Sequence, residues 1–222
     1  MICKFFKIFI PIIGVFFLSK NNNFLVIESK NNSFDQKLIL YHACLHYESK
    51  KYEKSLKLFN RLVSINQYKL KKAILYKIAR SNFNVKNYIL AGIQFYNFYH
   101  LYPKDKFSGE ALFQSAYCYY LSSFNLDHKN TYLAIERLRF FLKKYPYKKN
   151  YSKAKELLEK LLKKTEKKSF ERSKTYYNMM QYKAAYVSFK NFINDFRDFR
   201  NSSFREEAIF YMFLSKKKLN FI

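Results

Sequence analysis

Residues 79–103 read ARSNFNVKNYILAGIQFYNFYHLYP, and their spacing decides the fold. A small residue, Ala79, is followed by Asn82 three positions on, Tyr88 at nine, Ala91 at twelve, Phe95 at sixteen, Phe98 at nineteen and Pro103 at twenty-four. Apolar residues recur at three and four, the period of an α-helix. Two antiparallel helices approach closely only where each offers a small side chain, and Ala79 and Ala91 provide that pair. The aromatic at nine wedges the turn between them. Phe95 and Phe98 share one face of the second helix and bury against whatever follows. Pro103 then closes that helix, because it donates no backbone hydrogen bond and biases the residue before it away from the helical region.

The same steps recur along the chain. An earlier unit gives Ala43, His46, Tyr52, Ser55, Phe59, Leu62 and Gln67, and a later one gives Ser173, Tyr176, Tyr182, Ala185, Phe189, Phe192 and Arg197. Between them a unit opens at Ala116 and Tyr119, carries six extra residues, and resumes with Thr131, Ala134, Leu138, Phe141 and Pro146. A fifth start at Glu206-Glu207-Ala208 reaches the C-terminus without a second helix. One such hairpin cannot bury its own apolar face, whereas a stack can. The reading is an all-α solenoid of helical hairpins of the tetratricopeptide type, about five repeats with the last truncated. Its units lie near 36–68, 72–104, 109–147, 152–198 and 204–222, within a repeat region spanning 35–222. Residues 152–177 contain no helix breaker and predict one long helix.

Composition agrees. The chain is 49% apolar and 21% aromatic, with three Gly and three Pro, too few for turn-rich β architectures or glycine-rich phosphate loops. The net charge is +26. Lys is spread along the chain beside abundant Asn, Ile, Phe and Tyr, as the drift of an AT-rich genome would leave it, rather than gathered into a nucleic-acid footprint. Cys3, Cys44 and Cys118 are too few and too far apart for a disulfide framework, and the latter two sit in apolar helical stretches as small hydrophobes.

Residues 1–20, MICKFFKIFIPIIGVFFLSK, combine basic Lys4 and Lys7 with an apolar run from Ile8 to Leu18. This is the pattern of an export signal. No small residue followed by an acylatable cysteine ends it, so the mode of anchoring stays open. Residues 21–34 read as a polar linker.

No catalytic motif emerges, and the reading is a binding protein rather than an enzyme, with no cofactor. His42 and His46 share a helix face but lack the further ligands a zinc site requires, so no metal is expected. The expected binding surface is the concave face built from first helices, at three positions before and one and four after each small residue. Those positions hold Leu40, Cys44 and Tyr47; Tyr76, Arg80 and Phe83; and Phe113, Tyr117 and Tyr120. Rings with an Arg among them suit an extended or hairpin-like peptide.

The stretch Ala111 to Pro146, ALFQSAYCYYLSSFNLDHKNTYLAIERLRFFLKKYP, resembles the BamD (YfiO/ComL) family. The likeness rests on Ala-Tyr-Cys-Tyr-Tyr at 116–120, the insertion with Asp127 and Thr131, Ala134-Ile135 and the closing Tyr145-Pro146. Tyr182-Lys183-Ala184-Ala185 with Phe189 and Phe192, and Arg205-Glu206-Glu207-Ala208, extend it over about residues 35–219. The resemblance implies a component of the outer-membrane β-barrel protein assembly complex. Such a protein sits on the periplasmic face of the cell outer membrane and contacts a BamA-like β-barrel assembly protein and unfolded β-barrel substrates. The alternative is a generic tetratricopeptide-repeat adaptor of the cell envelope. A nucleic-acid or anionic-lipid binder is a third reading, which predicts steep salt dependence.

Overall fold

The small residues that set the repeat register lie in the core, in three of the hairpins between helices that pack on each other. Ala43 with Ser55, Ala79 with Ala91, Ala116 with Ala134 and Ser173 with Ala185 are all fully buried. The computed structural model describes residues 24–64, 68–123, 128–199 and 202–220. The leader at 1–20 and most of the insertion, residues 124–127, fall outside them. Among the described residues the chain is entirely helical: α1 (Phe24–Glu48), α2 (Tyr52–Arg61), α3 (Tyr68–Asn84), α4 (Tyr88–Leu101), α5 (Ser108–Ser122), α6 (His128–Lys144), α7 (Tyr151–Asn178), α8 (Tyr182–Asp195) and α9 (Arg205–Leu219). The polar linker expected over 21–34 gives way to helix from Phe24. No Gly or Pro lies between Phe24 and Glu48 to stop α1 from extending backward.

The helices divide into two units, parting between Arg137 and Leu138. In the first, α1 through α5 pack each on the next; in the second, α7 packs on α8 and α9 packs on both. Positions sixteen and nineteen after each small residue, not counting the six extra residues of the third unit, form the core: Phe59 and Leu62, Phe95 and Phe98, Leu138 and Phe141, Phe189 and Phe192 are each at most 1% exposed. Each phenylalanine so buried stabilises the fold by roughly 1.5–3 kcal/mol. The α4–α5 approach is tight enough that a Cβ on Gly92 would lie 3.2 Å from the Cys118 Cβ, and Ser115 Oγ donates to the Gly92 carbonyl at 2.7 Å.

Three of the turns inside hairpins are one motif. Lys50, Lys86 and Met180, each seven positions after the small residue, take the left-handed conformation with φ of 59°, 63° and 58°. The next N–H, of Lys51, Asn87 or Gln181, donates back to the carbonyl of His46, Asn82 or Tyr176 at 2.8, 2.9 and 3.0 Å. This closes the helix end with a Schellman turn in which the customary glycine is absent.

Connections between hairpins are tied to the preceding first helix. Lys72, seven positions before Ala79, donates to Asp105 at 2.5 Å. Burial opposes the charge on Asp105, but the Lys72 ammonium and the Phe107 N–H outweigh it and hold the carboxyl below its ordinary range. At the same place in the second unit, seven positions before Ser173, the polarity is reversed. There Glu166, 1% exposed, accepts a short hydrogen bond from Ser202.

Candidate functional site

A run of aromatic rings crosses from α3 to α5 in the first unit. Tyr88, opening α4, meets Phe83 edge-to-face with centroids 5.6 Å apart. Phe83 lies 6.0 Å from Tyr117, which stacks nearly parallel on Phe113 at 6.1 Å and on Tyr120 at 6.2 Å. The sequence makes this run because Phe113, Tyr117 and Tyr120 sit three and four apart on α5 and therefore on one face. Beside it, Arg80 Nη1 lies 3.6 Å from Glu110 Oε1, and Lys77 Nζ stands 3.7 Å from the Tyr47 ring centroid. Burial works against the Arg80 charge, but the Tyr47 phenol and Glu110 more than offset it, so the guanidinium is held firmly protonated. Burial first, and Glu110 second, push the Tyr76 phenol far above its usual value.

The expected surface residues therefore separate into two groups. Leu40 and Phe113 are buried, as is Cys44, and belong to the core rather than to a solvent-facing surface. Their positions face a neighbouring helix because the hairpins pack tightly, so a residue three places before the small one is covered by the second helix. Tyr76 is half-buried, its ring edge-to-face on Phe95 at 5.7 Å and on Phe98 at 5.1 Å. Tyr47, Arg80, Phe83, Tyr117 and Tyr120 remain half-buried. Of these, Tyr47 and Phe83 are partly committed to the fold, each closing edge-to-face on the turn tyrosine of its own hairpin, Tyr52 or Tyr88; Tyr177 on Tyr182 repeats the contact in the second unit.

Glu110 and Lys77 escape the register rule. Glu110 opens α5, where a carboxylate favours the helix N-terminus, and Lys77 directly follows Tyr76 on a lysine-rich chain, so neither stands out. Cys118 is fully buried, and burial pushes its thiol up to about 12, which leaves it protonated and inert. Among the described residues no group of three or more His, Cys, Asp or Glu is placed to hold a metal ion.

The class this geometry defines is a helical-hairpin repeat protein, with paired small residues at the crossings and an aromatic, charge-flanked face on its first helices. No protein-family model matches the chain, and no curated protein is significantly similar to it.

Proposed function

We propose that the chain is a component of the outer-membrane β-barrel protein assembly complex, a periplasmic scaffold that contacts a BamA-like protein and nascent β-barrel substrates. The observation that carries the binding role is the ring run Phe83, Tyr117 and Tyr120 with the Arg80–Glu110 pair at its edge. Half-buried rings fixed by stacking offer contact area at little entropic cost, and the adjacent charges orient a polar backbone or a carboxylate. An extended segment rich in aromatic residues, such as an unfolded β-strand, fits that chemistry. The particular complex rests on the likeness of residues 111–146 to the BamD family.

The test is site-directed photocrosslinking from Tyr120 in the native envelope, followed by identification of the partner. The expected products are a barrel-assembly protein and unfolded barrel proteins, with the yield of the latter falling about tenfold in Tyr117→Ala. Capture of other envelope proteins alone would leave a generic adaptor, and nucleic acid as the main product would overturn the scaffold role.

A further inference from the structure

The connection between α6 and α7 breaks the pattern of the other inter-hairpin turns. Among the described residues three of these turns share one backbone arrangement, in which the fourth residue donates to the first and the seventh to the fourth. Asp105 donates to Tyr102 and Ser108 to Asp105; Lys148 to Tyr145 and Tyr151 to Lys148; Phe199 to Phe196 and Ser202 to Phe199. In two of them the fourth side chain holds the fold. Asp105 bonds Lys72, and Phe199 is buried. In the α6–α7 turn that position is Lys148, which is exposed, and the residue before it, Tyr147, is 99% exposed. The backbone keeps its shape there, and the side chains at the tip are turned outward.

The segment around Tyr147 is basic. From Arg137 through Lys155 the chain carries no Asp or Glu. Lys143 and Lys144 end α6, Lys148 and Lys149 flank the tip, and Lys153 and Lys155 lie in the opening of α7; all six are exposed. Lys144 Nζ stands 5.8 Å from the ring centroid of Phe140, itself 40% exposed, and 5.9 Å from that of Tyr145, so its stem lies along apolar surface while its charge reaches water.

We propose that this tip docks on an anionic lipid bilayer, with Tyr147 at the headgroup level and the lysines around it on lipid phosphates. The inference stands apart from the scaffold role. A tyrosine has an apolar ring and a polar end, which suits the membrane interface. Lysines beside an anionic leaflet each strengthen binding by about fivefold. Uniform compositional drift raises Lys everywhere, but it does not place a fully exposed ring at the apex of a turn among six exposed lysines. A single-stranded nucleic acid would need several rings along a groove, and this tip presents one ring outward.

The chain has no Trp, so Tyr147→Trp makes a single fluorescent reporter at the tip without touching the core. With the full chain and vesicles of phosphatidylcholine containing one part in three phosphatidylglycerol, the expected result is a blue-shifted emission and quenching by brominated lipid, both absent with phosphatidylcholine alone. In flotation assays of the otherwise unaltered chain, Lys148→Glu with Lys149→Glu should weaken vesicle binding at least tenfold, while Lys216→Glu with Lys217→Glu on α9 leaves it unchanged. No emission shift, equal loss from the α9 pair, or tip-dependent binding to a single-stranded oligonucleotide in preference to vesicles would each overturn the proposal.

Discussion

Lys50, Lys86 and Met180 hold a backbone conformation that their Cβ atoms disfavour by about 1–2 kcal/mol. Glycine removes that strain and returns part of the gain as unfolded-chain entropy. Lys86→Gly is expected to stabilise the first unit by about 0.5–1 kcal/mol, seen as a higher urea midpoint at unchanged slope, with Lys86→Ala giving no such rise. A lower midpoint for the glycine variant would mean that the lysine side chain holds the turn by contacts of its own. The strain was not legible in the sequence. Nothing in Val85-Lys86-Asn87 resembles a helix stop, and only the regular distance between the small residue and the turn tyrosine marks where the chain reverses.

At the scale of helices and turns, the ties between hairpins set the pH response. The Asp105 carboxyl is held below its unfolded value of about 3.9, so its contribution is complete at neutral pH and is lost as pH falls through the depressed folded value. Asp105→Asn should therefore cost about 1 kcal/mol at pH 7 and nothing in strong acid, where the two denaturation curves converge. A constant gap at every pH would assign the loss to the turn hydrogen bond from Phe107 rather than to charge. The helices themselves were readable, because Ala79 with Ala91 and Phe95 with Phe98 fix both the crossing and the buried face. The binding face was readable only in part. Leu40 and Phe113 obey the register but are buried in the core, Tyr76 is half-covered by Phe95 and Phe98, and Tyr47 and Phe83 turn back onto the turn tyrosines. Sequence spacing gives the direction of a side chain without saying what already occupies that direction.

At the scale of the whole molecule, each unit has its own buried aromatic cluster, around Phe95 and Phe98 in one and around Phe170, Phe189 and Phe192 in the other. In repeat proteins stability is summed largely from neighbours. Phe189→Ala, expected to cost about 3–5 kcal/mol, should expose the amides of α7, α8 and α9 to hydrogen exchange while α3, α4 and α5 keep their protection. Phe95→Ala should do the reverse. Loss of protection throughout from either substitution would mean that the chain unfolds as one cooperative body.

The glycine-free turns bear on how such a chain endures mutation. Glycine codons are built from guanine, and lysine codons mostly from adenine, so a lineage drifting toward adenine and thymine loses the first and gains the second. A Schellman turn that closes with Lys50, Lys86 or Met180 survives that exchange at a modest cost per turn. A helix crossing does not, since no long side chain fits between Ala79 and Ala91. Selection in this lineage would then be concentrated on a few small residues at the crossings, leaving the turns and the surface to follow the nucleotide bias.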